Sequence, residues 1–267
     1  MADIDPELAA ELIATAEAMA DAARPVTLKH FRDVRLVAEN KLTDGFDPVT
    51  LADRAAETAM RSVLADRRPD DGIFGEEFGK SPGTSGLTWV LDPIDGTRGY
   101  ISGTPTWGVL IAVNQGDAPI LGVIDQPFIG ERFLGGLGRA DCHGPHSTGA
   151  LNTRDTPALA DAIVFTTFPE IGTTVDRAGF EAVAKQAKLT RYGMDCYAYA
   201  LLAAGQIDLV IEAGLSAYDI QAPIAVIEAA GGIVTDWTGG PAHHGGRVLA
   251  AGSARLHRAA LDILSNY

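Results

Sequence analysis

Cysteine and basic residues are both scarce in this sequence. It contains two cysteines, Cys142 and Cys196, among 267 residues. Two are too few for a disulfide framework, so we expect free thiols. Lysine and arginine together number 21 against 35 acidic residues, which gives a formal net charge of −14. We therefore expect no nucleic-acid partner, because phosphate backbones attract basic surfaces.

Long apolar runs are also lacking. No stretch reaches the roughly 20 residues that cross a membrane, and the first residues include acids where a secretory signal would carry basic ones. We expect a cytoplasmic protein with no membrane partner. Hydrophobic residues make up 46% of the chain and charged residues 21%, which is typical of a globular protein with a sizeable core.

The first half of the chain predicts helices followed by a meander of strands. Asp5-Pro6-Glu7 has the cap, proline and acid of a helix start, and this helix is predicted to end at Arg24-Pro25. Further helices are predicted at 27–33 and, behind a Thr50 cap, at 51–65. Short strands separated by turn residues are predicted at 73–74, 107–113, 120–125 and 132–134. Their close succession predicts antiparallel pairing.

The second half alternates between strands and helices, which is typical of a layered α/β structure. Strands are predicted at 162–167, 188–192, 207–212, 233–237 and 248–251. Helices are predicted at 174–187, 196–204, 220–230 and 254–264. We therefore predict an α/β fold with α+β layering, divided into an N-terminal α+β domain at 1–140 and a C-terminal α/β domain at 141–267.

Two loops raise separate questions. Residues 80–86, rich in serine, glycine and proline, predict a mobile loop over the site described below. Residues 139–152 read as a glycine-rich loop that contains Cys142, His143 and His146. Such residues could bind zinc, but a fourth ligand at suitable spacing is missing, and we reject this interpretation.

Residues 89–97 read Trp-Val-Leu-Asp-Pro-Ile-Asp-Gly-Thr and carry the pattern of a metal site. Three apolar residues predict the end of a buried strand, and Pro93 is expected to take the chain out of the sheet at Asp92. A tight turn would then aim Asp92, Asp95 and the carbonyl group of Ile94 at one point. The backbone N–H groups of Gly96 and Thr97 would remain for an anion. The alternative is that Asp-Pro and Asp-Gly only form turns.

The cost of gathering carboxylates favours the metal interpretation. Two carboxylates about 4 Å apart repel each other by roughly 4 kcal/mol at an effective dielectric constant of about 20. Bringing three or four together would remove much of a domain's usual stability of about 5–15 kcal/mol. A divalent cation relieves that repulsion, and an acidic protein would use such a cation, with bases such as Lys41 and Arg98, to attract an anionic substrate.

Three motifs together resemble those of the inositol monophosphatase family. They are Gly75-Glu76-Glu77, residues 92–97, and Tyr218-Asp219-Ile220 followed by Glu228-Ala229-Ala230-Gly231-Gly232. The likeness covers nearly the whole chain. Four further passages are most similar to the histidinol-phosphate phosphatase branch: residues 47–50, 75–79, 95–100 and 195–199.

The resemblance implies a fold of alternating helix and sheet layers, with an antiparallel sheet first and a mixed sheet second, and a homodimer. It implies two or three Mg²⁺ ions, with Mn²⁺ as the alternative, which the oxygen-only ligands also favour. The implied metal ligands are Glu76, Asp92, Ile94, Asp95 and Asp219. The implied catalytic residues, which activate a water, are Glu76, Thr97 and Asp53, with Asp47 in support. Gly96 and Thr97 would bind the phosphate. The alternative for Asp53 and Asp219 is that each only caps a helix.

The substrate prediction depends on four further residues. Gly193, Asp195 and Glu212 match positions that contact the leaving group in this family, and two acids suit a cationic group better than a neutral polyol. Arg98 departs from the small polar residue usual after Asp-Gly-Thr in inositol phosphatases, which argues against inositol. Asp195 as a helix cap and Glu212 as the end of an edge strand are the structural alternatives.

We therefore predict a Mg²⁺-dependent phosphomonoester hydrolase that acts on histidinol phosphate, a small phosphorylated substrate. The alternatives within the same class are inositol 1-monophosphate and 3′-phosphoadenosine 5′-phosphate. The alternative from another class is a metal-binding regulatory protein without catalysis.

Overall fold

The computed structural model describes residues 4–34, 36–40 and 48–267, so the predictions for Lys41 and Asp47 lie outside the described residues. The helices of the described part are α1 (Pro6–His30), α2 (Leu51–Arg67), α3 (Thr97–Ser102), α4 (Thr174–Ala184), α5 (Asp195–Ala203), α6 (Ala217–Ala229) and α7 (Ala254–Leu264). The strands of this part that belong to the two large sheets or to a short hairpin are β1 (Glu39–Asn40), β2 (Pro48–Val49), β3 (Gly72–Gly75), β4 (Gly79–Ser81), β5 (Leu87–Asp95), β6 (Gly108–Gln115), β7 (Ala118–Gln126), β8 (Glu131–Gly136), β9 (Arg139–His143), β10 (Thr148–Ala150), β11 (Ile163–Thr166), β12 (Leu189–Tyr192), β13 (Leu209–Leu215), β14 (Ile233–Thr235) and β15 (Gly246–Ala251).

The first large sheet has eight strands in the order β10-β9-β8-β7-β6-β5-β3-β4. Its pairs are antiparallel, except that β3 and β5 are parallel. Both faces of its centre are buried, since Val109 and Ile111 of β6 pack against α1 and α2 while Leu110 packs toward α6. This alternation follows from the two-residue period of a strand.

The second large sheet is mixed, with the order β12-β11-β13-β15-β14. Strands β12, β11 and β13 are parallel, whereas β15 is antiparallel to both of its neighbours. Helices α4 and α7 cover one face, and α5 and α6 lie between this sheet and the first one. The layers are therefore helix, sheet, helix, sheet, helix, which confirms the predicted layered α/β fold.

Helix α1 differs from the prediction because it continues through Pro25 to His30. A proline inside a helix costs about 3 kcal/mol or more. Burial on both sides of Pro25 offsets this cost, since Ala23 and Thr27 are fully buried. Arg24 also binds Asp125 at 2.6 Å, and the Thr27 carbonyl oxygen accepts a hydrogen bond from the Tyr100 hydroxyl at 2.7 Å. The two helices predicted at 6–23 and 27–33 are therefore one.

Residues 139–152 also differ from the prediction, because most of them form the hairpin of β9 and β10 rather than a loop. Cys142 lies buried on β9 among apolar side chains, and His143 contacts Asp141 at 2.9 Å. The first sheet thus extends to Ala150, ten residues beyond the predicted boundary at 140. The division into domains at 1–140 and 141–267 stays a prediction. Among the described residues, every helix is too short or too polar to cross a membrane.

Candidate active site

Asp92 and Asp95 lie near the end of β5 and face the same cavity because the strand contains a bulge. Asp92 pairs with Leu110 and Asp95 with Gly108, so three steps along β5 match two steps along β6. Residues three apart on a regular strand point to opposite faces, and an extra residue returns them to the same face. The prediction that the chain leaves the sheet at Asp92 is therefore wrong, since β5 continues to Asp95. Pro93 lies within the bulge, where no ladder hydrogen bond is required of it. The carboxylate of Asp92 accepts a hydrogen bond from the Ile94 N–H at 3.0 Å.

Glu76 reaches the same cavity from the neighbouring strand. It follows β3, which is parallel to β5, and its N–H donates to the Leu91 carbonyl oxygen at 3.1 Å. Parallel strands bring their carboxyl ends to one edge of the sheet, so Glu76 comes beside Asp92. The Glu76 carboxylate is close enough to help raise the pKa of Asp92.

Asp219 comes from the second half of the chain, in the first turn of α6. One of its oxygens accepts from the Ser216 N–H at 2.7 Å, so the residue does cap its helix. One oxygen each of Asp92, Asp95 and Asp219 also lie within 4.8 Å of one another. Capping and ligation, which the sequence presented as alternatives for Asp219, are therefore compatible.

Burial and mutual repulsion disfavour charge in this cluster. The pKa values of Asp92 and Asp95 lie well above the usual range, first because both carboxyl groups are buried. Glu76 and Asp219 add repulsion at Asp92, and Asp219 and Asp195 add it at Asp95. Such a set of converging oxygens fits a hard divalent cation, which would balance the negative charge and accept oxygen ligands. The donor set therefore fits Mg²⁺ or Mn²⁺ better than zinc.

Asp53 and Thr97 lie beside the cluster. Asp53 caps α2 by accepting from the Thr50 N–H at 2.8 Å, and burial raises the pKa of its carboxyl group to about 6. Its other oxygen is 3.5 Å from the Thr97 hydroxyl, which is closer to the Ile94 carbonyl oxygen, at 3.0 Å. The structure thus places Asp53 both at the cap and within reach of Thr97.

The cavity has a volume of about 260 Å³. Its lining includes Glu76, Asp92, Ile94, Asp95, Gly96, Thr97, Arg98, Asp195, Glu212 and Asp219. Gly193 is not part of this lining, and its N–H donates to the Thr167 carbonyl oxygen at 3.0 Å. The predicted loop at 80–86 is not part of it either, because it begins in strand β4 and Gly83 packs against Gly72. That loop does not cover this cavity.

Asp195 is held by contacts with the first half of the chain. Its backbone has a positive φ of 46°, which is uncommon for a residue with a side chain. Its carboxylate accepts from the Thr106 hydroxyl at 3.0 Å and packs against Gly96, where a Cβ would lie 2.6 Å from its carboxyl carbon. The α5 N–H of Cys196 donates instead to Asp95 at 2.6 Å. The alternative in which Asp195 serves to cap α5 is therefore wrong.

Glu212 lies buried in β13, an interior strand that continues to Leu215, so the edge-strand alternative is also wrong. Its carboxylate accepts from the Thr167 N–H at 2.6 Å, the Thr167 hydroxyl at 2.8 Å and the Thr166 hydroxyl at 3.1 Å. Burial outweighs these bonds and raises the pKa of Glu212 to about 7. A cation in the cavity would favour its ionised form.

Sequence reasoning missed several residues around the cavity. One of them is Phe168, whose ring centre lies 4.8 Å from the guanidinium of the predicted residue Arg98, and another is Tyr199, whose side chain is buried at the cavity wall. Glu57 of α2 is fully buried and accepts a hydrogen bond from the N–H of Glu77, the residue after Glu76. The sequence does contain a signal for Glu57, because this acid occupies a position on the apolar face of α2, beside Ala56 and Met60. No comparable pattern marked Phe168.

The sequence profile of the inositol monophosphatase family matches residues 8–267. The chain belongs to this family. It is 40% identical over 262 residues to the bifunctional phosphatase IMPL2, chloroplastic, of Arabidopsis thaliana, which covers 94% of this chain and 74% of that protein. It is 34% identical over 257 residues to a histidinol-phosphatase of Streptomyces coelicolor, with 94% and 95% covered.

A solved inositol monophosphatase from Zymomonas mobilis has the same fold, with a TM-score of 0.82, 38% identity, and 95% of this chain and 97% of that chain covered. These relationships confirm the predicted inositol monophosphatase family and the enzyme class, a phosphoric monoester hydrolase. Both histidinol-phosphatases and inositol monophosphatases occur among the relatives.

Proposed function

We propose that the chain is a Mg²⁺-dependent histidinol-phosphate phosphatase, which converts L-histidinol phosphate and water into L-histidinol and phosphate. The observation that carries the proposal is that two further acids, the half-buried Asp195 and the buried Glu212, line the same cavity as the carboxylate cluster. A substrate with a phosphate at one end and a cationic group at the other matches this distribution of charge. Two relatives of the chain, described above, are a histidinol-phosphatase and a bifunctional phosphatase.

We assign the metal ligands to Glu76, Asp92, Asp95, Asp219 and the Ile94 carbonyl oxygen. Bound Mg²⁺ would supply Lewis-acid polarisation of the phosphate and would lower the pKa of a coordinated water. Occupancy by two or three ions, with Mn²⁺ as a substitute, stays a prediction.

The residues beside the cluster would handle the attacking water. Glu76 and Thr97 are assigned to orient it and to accept its proton, and Asp53 to orient Thr97. The 3.5 Å separation of Asp53 from the Thr97 hydroxyl supports the assignment of Asp53 as the group that orients Thr97. The Thr97 hydroxyl would pass its proton to Asp53 as its oxygen takes a proton from the water. Gly96 and Thr97, at the start of α3, would donate backbone N–H groups to the phosphate.

The leaving group would lie against Asp195 and Glu212. Thr106 orients the first of these carboxylates, while Thr166 and Thr167 orient the second. Arg98, stacked on Phe168, would border the same end of the cavity. Gly193, two residues before Asp195, has a positive φ of 78° and does not line the cavity, so its contact with the leaving group stays a prediction.

A substrate panel tests the proposal. Phosphate release would be measured with Mg²⁺ on histidinol phosphate, myo-inositol 1-phosphate and 3′-phosphoadenosine 5′-phosphate. We expect the highest kcat/KM with histidinol phosphate. If inositol phosphate is hydrolysed about tenfold better, a difference of about 1.4 kcal/mol in transition-state stabilisation, the substrate assignment is wrong.

An isotope experiment tests whether water attacks phosphorus, and a search for a phosphorylated enzyme tests whether that attack is direct. In water that contains ¹⁸O, one labelled oxygen should enter each released phosphate in a single turnover. Isolation of a phosphorylated enzyme on the reaction pathway would contradict direct attack. The homodimer and the cytoplasmic location stay predictions.

A further inference from the structure

Helix α2 presents three charged residues on one face, four residues apart. Asp53, Glu57 and Arg61 therefore follow one another along the side that faces β3 and β5. Asp53 reaches Thr97, as described above. Glu57, one turn later, is fully buried, and Arg61 binds it with its Nε atom 2.7 Å from the Glu57 Oε1 atom.

Glu57 and Arg61 bind the turn that carries Glu76. The Glu57 carboxylate accepts hydrogen bonds from the Glu77 N–H at 2.7 Å and the Phe78 N–H at 3.3 Å. Arg61 donates to the Gly79 carbonyl oxygen at 2.7 Å. The pair thus contacts three successive residues directly after Glu76, and bonds to a charged carboxylate are stronger than those to a neutral group.

Gly75 shows how closely the carboxylate approaches the backbone on the other side of Glu76. A Cβ atom at this position would lie 1.9 Å from the Glu57 Oε1 atom. Only a residue without a side chain allows this approach. Glu57 therefore contacts the chain both immediately before and immediately after Glu76, but it does not line the cavity.

We infer that Glu57 is a positioning residue that holds the Gly75–Glu77 turn so that the Glu76 carboxylate faces Asp92. The inference rests on the proposed metal-dependent function, and it adds a residue that touches neither substrate nor ion. Glu76 already follows β3 and hydrogen-bonds to the Leu91 carbonyl oxygen through its N–H. That bond fixes only one end of the turn, and Glu57 fixes the other.

The variant Glu57→Gln tests the inference because it keeps the shape of the side chain. One oxygen becomes an NH₂ group, which cannot accept from Glu77 or Arg61. Binding of Mn²⁺ would be measured directly by the electron paramagnetic resonance signal of the free ion, without substrate. We expect affinity to fall about tenfold to hundredfold, the range found when groups that orient metal ligands are removed. Activity should recover at higher Mg²⁺ concentration.

Asp208→Asn is the matched control. Asp208 is also fully buried, and it accepts from the backbone N–H of Ile163 at 2.7 Å and from Arg154. It lies immediately before β13, away from the turn. Both variants should lower the thermal unfolding temperature, but Asp208→Asn should bind Mn²⁺ within about twofold of the unaltered chain.

The Mn²⁺ affinities of the variants decide whether Glu57 has the positioning role. Unchanged Mn²⁺ affinity in folded Glu57→Gln would overturn the positioning role and leave the proposed function standing. Failure of the unaltered chain to bind Mn²⁺ would overturn both. If Glu57→Gln does not fold, Mn²⁺ binding is measured on Arg61→Lys instead. Lysine keeps the positive charge, but it lacks the planar guanidinium that binds Glu57 and the Gly79 carbonyl oxygen at the same time. A loss of affinity in Arg61→Lys supports the role, and unchanged affinity overturns it.

Discussion

Asp95 connects the two halves of the chain through a single carboxylate. One of its oxygens accepts from the Cys196 N–H at 2.6 Å, at the start of α5. The same side chain belongs to the cluster with Asp92 and Asp219. The hydrogen bond stabilises the ionised form, whereas burial and the neighbouring acids oppose it and prevail. A residue under such opposing forces is expected where function, rather than stability, determines the side chain.

Burial and neighbouring acids also oppose the ionised form of Asp92, so this side chain lowers the free energy of unfolding when no ion is bound. Asn at this position can still accept from the Ile94 N–H and can donate to Glu76, but it carries no charge. With a chelator at pH 8, we expect Asp92→Asn to be about 1 kcal/mol more stable, a rise of about 2–4 °C in Tm for a chain of this size. Calorimetry checks this shift.

Activity should change in the opposite direction. Because a bound ion supplies several kcal/mol of transition-state stabilisation, kcat/KM of Asp92→Asn should fall by about a hundredfold or more. Asp176→Asn is the control, since Asp176 pairs with Arg247 at 2.6 Å and caps α4. That variant should lose stability and keep its activity. A lower Tm for Asp92→Asn in chelator would contradict the account of the cluster.

Glu212 permits a prediction about specificity. In Glu212→Gln, the side-chain oxygen can still accept from Thr167, and the new NH₂ group can donate to the Thr166 hydroxyl. The charge alone is lost. We expect kcat/KM for histidinol phosphate to fall about tenfold relative to that for myo-inositol 1-phosphate, because only the first substrate carries a cationic group. Equal losses with both substrates would contradict this role.

At the scale of elements, α6 reaches the cavity only because glycines face it. A Cβ on Gly122 of β7 would lie 2.3 Å from the Ala222 carbonyl oxygen, and one on Gly135 of β8 would lie 2.4 Å from the Val226 Cα atom. The helix backbone therefore rests directly on the sheet. Ala222 is one turn after Asp219, so the position of this helix sets the position of the Asp219 carboxylate.

Gly122→Ala should displace α6 at that point. We expect a loss of about 1–3 kcal/mol in the free energy of unfolding, as is typical of overpacking, together with a higher Mg²⁺ concentration for half-maximal activity. Denaturant titration and Mg²⁺ titration measure the two effects. Gly252→Ala is the comparison, since its nearest contact is 3.0 Å away and lies outside the cavity. An unchanged Mg²⁺ requirement in folded Gly122→Ala would show that the position of α6 does not determine metal binding.

Helices and strands differ in how well the sequence predicts them. Capping residues and periodicity predicted α2 and the second-half helices within a few residues, since these signals are local. The local rule failed at Pro25, where burial of Ala23 and Thr27 sustains the helix, and at residues 139–150, where strand pairing overrides a glycine-rich composition. The bulge at Pro93 depends on the register with β6, which no local pattern contains.

At the scale of the whole molecule, five layers bring remote segments to one cavity. The motifs identified most of its lining, because those residues are the ones that the resemblance carries. The motifs did not identify Phe168, which lines the cavity but lies outside every motif. The cluster therefore draws Glu76, Asp92 and Asp95 from one sheet and Asp219 from a helix shared by both.

Because the proposed ligands come from both halves, Mg²⁺ should stabilise the whole chain. An ion present at about 100 times its dissociation constant adds about 2.7 kcal/mol to the free energy of unfolding. The effect should depend on pH with a definite sign. Burial and neighbouring acids raise the pKa values of Asp92 and Asp95 in the folded protein. Without the ion, the stability these groups contribute is complete below their unfolded pKa of about 3.8 and is lost as the pH rises through the raised folded values.

Mg²⁺ binds the ionised carboxylates, so it should restore more stability where more of them have lost their protons. We expect the difference in Tm between Mg²⁺ and chelator to be larger at pH 8 than at pH 6. Tryptophan fluorescence would follow unfolding, because Trp89 and Trp107 lie in the first half and Trp237 in the second. In Asp219→Asn, where the amide oxygen can still cap α6, the difference should shrink at both pH values. A difference that is equal at the two pH values, or smaller at pH 8, would show that these carboxylates do not bind the ion.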